Sequence, residues 1–224
     1  MSIGLKTIFT VFFLGLFFSG FSQEAAEDAF DAGDAKILHW GFSVGLESGL
    51  FFGKENPSDT SRSRFTDAKA IPGFGVSAGL GVSIRMADKL SLKTGATVSI
   101  IPTRVRYGRK NTSPENPLIF PFTAEVPVHF LFGNPLETKK GSVFVGPTLE
   151  FDIPAIETGR FSNESFFLRG DVGFTVPVNI GMGEALLDIV YGISVTPLLQ
   201  GNSVYDQWWD SSGRHRFALR LNLY

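Results

Sequence analysis

The chain has 224 residues, with 20 basic and 22 acidic side chains for a net charge of −2, no cysteine, 25 glycines and 23 phenylalanines. The balanced charge excludes the basic footprint of a nucleic-acid binder, and the lack of cysteine excludes disulfides, thiolate metal sites and lipid attachment through an N-terminal cysteine. Beyond the N-terminal segment no apolar stretch approaches the roughly 20 residues of a membrane helix, so any membrane crossing has to be made by strands.

In chain order, Lys6 precedes the apolar run Ile8 to Phe18, which is followed by small residues at Ser19, Gly20 and Ser22. That pattern reads as a secretory signal peptide over residues 1–22, cleaved before Gln23. Residues 23–36 are acidic and alanine-rich, have no apolar period, and read as a solvated periplasmic tail. A single domain is expected over 37–224, a length that fits one large all-β unit.

From Leu38 onward the dominant signal is alternation with period two. It is cleanest over 73–86, where Phe74, Val76, Ala78, Leu80, Val82, Ile84 and Met86 oppose Gly73, Gly75, Ser77, Gly79, Gly81, Ser83 and Arg85. The same pattern predicts a first strand from Leu38, then strands over 90–101, 118–132, 142–153, 166–180, 185–197 and 214–224. The expected fold is an all-β, closed antiparallel up-and-down transmembrane barrel of about eight strands. The segments exceed the roughly 5 to 6 residues of soluble strands and reach the 9 to 11 that cross a bilayer. Long polar connections (53–71, 103–117, 154–165, 199–213) alternate with shorter ones (87–89, 133–141, 181–184), the arrangement of outer-membrane barrels.

Periodicity alone leaves open which face points inward. Size decides it, because an eight-stranded bore has room only for side chains to fill it, and here one face is crowded with Phe, Leu and Val while the other is mostly Gly, Ser and Thr punctuated by charges. Turned inward, Glu47, Arg85, Lys93, Glu125, Glu150, Asp152, Arg169, Asp171, Asp188, Arg216 and Arg220 bring both signs into one narrow lumen. They are expected to pair, since an unpaired buried charge is very costly, and to plug the bore.

Gly75-Val76-Ser77-Ala78-Gly79 matches the G-x-S-x-G elbow of serine hydrolases, but it lies inside the best-alternating strand, with no helical period after it, and is read as strand glycine. His39, His129 and His215 have no metal-ligand spacing. No cofactor and no catalysis are expected, Glu150 with Asp152 and Arg169 with Asp171 being read as members of an ion-pair network that holds the barrel and not as an acid–base site. Trp40, Phe51, Phe52, Phe120, Phe122, Phe130, Phe132, Tyr191 and Tyr224 are candidates for the interfacial aromatic girdles. Trp208 and Trp209, in the last long loop, fit either a binding surface or a rest on the barrel rim.

Trp40-Gly41-Phe42 with Gly45, the alternating G-x-S-x-G-L-G stretch, Glu125-Val126-Pro127, Val145-Gly146-Pro147 and Asp188-Ile189-Val190-Tyr191-Gly192 together resemble the small outer-membrane β-barrel proteins of Bacteroidota, often described as porin-like or PorT-like. The resemblance covers most of 37–224. It implies an integral outer-membrane protein in contact with outer-membrane lipid and with the barrel-insertion machinery, with other envelope or secretion proteins as further partners. A PorT-like accessory role in type IX secretion is one alternative under this resemblance, and a soluble periplasmic barrel binding an apolar ligand is another reading of the same strands. Two positions depart from the family pattern: Val190 stands where relatives often carry arginine, and Tyr224 falls in phase with Arg220 and Asn222 instead of with the apolar set.

Overall fold

A computed structural model describes residues 38–56, 65–109, 112–119, 122–133, 135–153, 166–180, 184–199 and 205–224. The segments assigned to a signal peptide and an acidic tail lie outside the described residues. Eleven strands are present among the described residues: β1 (Leu38–Glu55), β2 (Asp67–Ile71), β3 (Gly73–Ala87), β4 (Leu90–Ile100), β5 (Thr103–Gly108), β6 (Leu118–Ile119), β7 (Phe122–Phe132), β8 (Ser142–Asp152), β9 (Phe166–Asn179), β10 (Glu184–Ser194) and β11 (Trp209–Leu223).

Eight of these close a barrel in the order β1-β11-β10-β9-β8-β7-β4-β3, every pair antiparallel. Each strand neighbours the barrel strands before and after it in the chain, and β1 pairs with β11 to complete the ring. The topology is therefore up-and-down and leaves no open barrel edge. Closure rests on long registers: β1 runs against β11 from Phe42↔Leu223 to Glu55↔Trp209 and against β3 from Leu38↔Ile84 to Gly49↔Gly73.

The alternation read from the sequence sorts the side chains to the two surfaces of this wall. Among the described residues 25 large hydrophobics are exposed, including Phe74 at 76 % and Leu46 at 66 %, whereas 15 hydrophobics are buried. That excess is the reverse of a water-soluble protein, whose large apolar side chains collect in its core. The apolar face is the outer wall and the small, polar face lines the bore, so a soluble barrel with an apolar interior does not match this packing.

Glycine is what makes the bore passable for large side chains. Arg216 has Gly49 as its register partner on β1 and Gly192 on β10, Arg220 has Gly45 on β1, and Asp171 has Gly146 on β8 and Gly192 on β10. A Cβ at Gly192 would collide with the side chains of both Asp171 and Arg169. The inward face thus alternates bulky charges with residues that have no side chain, the interdigitation a narrow barrel requires.

The structure corrects the sequence reading at several places. Segments 53–71 and 103–117 are not plain polar loops: they contain β2 and β5, which pair with β6 in a three-stranded sheet of order β2-β5-β6 outside the barrel. The expected strand over 118–132 is accordingly two elements, with β6 in the outer sheet and β7 in the wall. The connection after β7 holds a single helical turn, α1 (Pro135–Thr138). Phe51 and Tyr224 are not girdle residues, because both face inward. Trp40, Phe52, Phe130 and Phe132 are exposed on the outer wall, and Phe120 lies outside the described residues.

Candidate functional site

The site is the bore itself. Lys93, Arg169, Arg214, Arg216 and Arg220 point into it together with Glu47, Glu125, Glu150, Asp171 and Asp188, all buried, so five basic groups meet five acidic ones. Their strands decide how they meet. In the ring β11 and β7 lie four strands apart in either direction, so an arginine of β11 reaching a carboxylate of β7 spans the full diameter.

Glu150 is the hub of the outer half. Its Oε1 accepts from Arg169 and from Arg216 Nη1 (2.8 Å), and its Oε2 accepts from Arg214 Nη2 (2.8 Å). Glu125, its register partner on β7, accepts from Ser99, from Arg169 Nη2 (3.3 Å) and from Arg220 Nη2 (2.8 Å), and is paired with Arg216. Two carboxylates side by side would repel strongly in a low-dielectric bore; the arginines between them remove that cost. Glu47 closes the array by taking Nε (3.0 Å) and Nη2 (2.8 Å) of Arg220 on one oxygen and Arg216 on the other. Arg169 also forks onto Asp171, two residues along its own strand, and such bidentate charge-assisted bonds are the stronger kind.

Below this array Asp171 Oδ2 accepts from Thr148 (2.7 Å) and lies 3.1 Å from His129 Nε2, whose ring stacks on Phe144. Next comes Asp188, bonded by Lys93, by Thr175 (2.8 Å) and by Asn222 Nδ2 (3.0 Å). Between these two levels Ser43, Gly81, Lys93, His129, Asp188 and Arg220 surround a void about the size of one water molecule. Leu131, Phe144, Val190 and Ala218 pack inside the bore as an apolar layer. Tyr224 closes the inner end: its ring lies along Gly41 and meets His39 edge-on at 6.5 Å. This gives the off-phase terminal tyrosine a place, as a stopper in the space two glycines leave free.

The other end carries a second closure. Phe51 and Phe167, the inward residues at the outer ends of β1 and β9, pack with Phe65, Val105, Tyr107, Leu198 and Trp208. Phe65 makes tilted ring contacts with Tyr107 at 4.8 Å and Tyr205 at 5.3 Å, and Phe51 meets Trp209 edge-on at 5.2 Å. Trp209 Nε1 donates to the Tyr107 hydroxyl (2.8 Å), which donates to the Tyr205 carbonyl (3.1 Å). Arg214 lies over the Phe167 ring at 5.7 Å and so joins this aromatic cap to the charges beneath it. Trp208 is therefore buried under the outer sheet and Trp209 half-buried against Phe51; neither is an exposed binding surface.

Of the residues predicted for the lumen, Glu47, Lys93, Glu125, Glu150, Arg169, Asp171, Asp188, Arg216 and Arg220 are brought together. Arg85 is not: it sits at the inner rim and pairs with Asp88 of the adjoining turn at 2.8 Å. The Asp152 side chain lies outside the described residues. Arg214 is a lumen residue the sequence reading passed over, although period two counted back from Arg216 points to it. No cluster of three or more histidine, cysteine or carboxylate residues able to hold a metal occurs among the described residues.

No family model matches the sequence, and no curated protein does. Among solved structures the chain is similar to the translocator domain of autotransporter NalP from Neisseria meningitidis, at 11 % identity and a TM-score of 0.34, over 94 % of this chain and 96 % of that one. It is also similar to the outer membrane protein OprG from Pseudomonas aeruginosa, at 12 % identity and a TM-score of 0.35, over 82 % of this chain and 93 % of that one. The architecture described above stands on the strand pairing of this chain itself.

Proposed function

We propose that this protein is an integral outer-membrane barrel with a structural or protein-interaction role, closed at rest and without catalysis. The observation that carries the reading is the inverted surface: long barrel strands present Phe, Leu, Ile and Val outward, while ten charged groups are buried in the bore. In water that wall would drive aggregation; in a bilayer it is the required lipid-facing band. Export by the N-terminal signal and insertion by the barrel-assembly machinery of the envelope follow from this reading.

The closed bore argues against a solute channel, and the engagement of its carboxylates argues against an acid–base enzyme. Glu47, Glu125, Glu150 and Asp171 are each bonded to at least one guanidinium, and Asp188 to an ammonium, so none of these five described bore carboxylates is poised to take a proton from a substrate. The short motifs that resemble Bacteroidota barrels support placing the protein in that group, with partners among envelope proteins.

Membrane fractionation tests the reading, followed by gel migration of the detergent-purified chain with and without boiling. The expected result is extraction only by detergent and a mobility that changes on boiling. Recovery from the periplasm without detergent would sink the proposal.

A further inference from the structure

The outer sheet carries a feature that neither the plug nor the cap uses. β2 and β5 pair with Ala68↔Tyr107 and Ala70↔Val105 turned to the aromatic cap, which leaves Lys69↔Arg106 and Ile71↔Arg104 on the opposite, exposed face. Lys69 and Arg106 are thus direct cross-strand neighbours, with Cβ atoms about 5 Å apart, and like charges so placed repel. Arg104 stands two residues along, roughly 7 Å away on the same face. None of the three has an ion-pair partner among the described residues, although Arg109 on the same loop is paired with Glu115 at 2.6 Å. The face's described carboxylate is Asp67, at its far end, where it accepts from the Thr66 hydroxyl at 3.0 Å. The net charge of the face is +2, from three cations less one carboxylate.

Position identifies the anion. Ile71 is exposed beside Arg104 and is followed by Pro72 and by Phe74, one of the most exposed side chains of the outer wall; Ile100, also exposed, lies just ahead of β5. The cations therefore begin where the apolar wall ends, at the level where lipid headgroups lie. We propose that Lys69, Arg104 and Arg106 bind the phosphates of the outer-leaflet lipid, with the arginines offering forked donors and the repulsion between Lys69 and Arg106 relieved by the anion. The proposal rests on the membrane reading above and assigns the outer sheet a headgroup site.

The test uses the full chain in neutral detergent micelles, titrated with the phosphorylated glycolipid lipid A, and a K69Q/R104Q/R106Q variant. Both proteins first have to show the boiling-dependent mobility shift, which reports the barrel independently of any headgroup. The expected result is about tenfold weaker lipid A binding by the variant, wild-type binding that weakens as salt rises, and an R106K protein that binds between the two, since lysine keeps the charge but not the forked donors. Equal affinity of wild type and triple variant would overturn the inference. So would inorganic phosphate that binds as tightly as lipid A at equal phosphate concentration, since the face would then take the free ion.

Discussion

Glu150 is fully buried and holds three arginines, from β9 and from two positions on β11. Its value is conditional on its charge: the guanidiniums are tolerable in the bore because an anion lies among them. Glu150→Gln keeps the shape and removes that anion, so it is expected to destabilise the barrel by about 3–5 kcal/mol, as for other buried pairs broken from one side. Urea unfolding of the protein in lipid vesicles measures this, and a loss below about 1 kcal/mol would mean that Glu125 and Glu47 can neutralise the cluster alone. The same logic explains why the bore charges, scattered over seven strands, occur in equal numbers of each sign.

At the scale of elements, the outer sheet and the last loop are held to the barrel by one hydroxyl as well as by packing. Tyr107 on β5 accepts from Trp209 at the start of β11 and donates to the Tyr205 carbonyl, so its loss costs two bonds. Burial pushes the Tyr107 phenol above its usual range. Below about pH 10 the phenol is neutral whether the cap is closed or open, and it adds no pH dependence. Above that the opened form ionises while the closed form keeps its proton, so cap stability falls as pH rises. Limited proteolysis of the outer loops should therefore accelerate above about pH 10 in wild type. A Tyr107→Phe protein should be cleaved faster at neutral pH, by the loss of about 1–2 kcal/mol of local stability, and should show a smaller alkaline rise. An identical alkaline rise in both proteins would remove Tyr107 as its source.

At the scale of the whole molecule, the bore is closed three times: by the aromatic cap, by ion pairs across the diameter, and by Tyr224 with the apolar layer of Leu131, Phe144, Val190 and Ala218. Planar-bilayer recordings should accordingly give no stable single-channel steps for the wild type. A Trp208→Ala protein, with its cap loosened, should stay silent as well, because the charge network beneath is untouched. Steps in wild type would mean that the closures open together, and steps only in the Trp208 variant would place the whole barrier in the cap.

Period two, read along one chain, determined the barrel strands, which residues share a face, and through side-chain size which face lines the bore; each of these is a local property of an extended backbone. It also named nine of the charges that meet there, because inward position follows from phase. What needed the tertiary structure was everything set by closure. Ring order, and not sequence distance, puts β11 across from β7 and turns a set of inward charges into bonds across the diameter. Arg85 has the inward phase but lies too near the rim to join, and Asp88 in the next turn takes it. β2 and β5 went unrecognised because their alternation pairs alanine, valine and tyrosine with charges and not with wall-sized hydrophobics, so each segment alone resembles a polar loop. Only their pairing outside the barrel gives one face to the cap and the other, with Lys69, Arg104 and Arg106, to the outside.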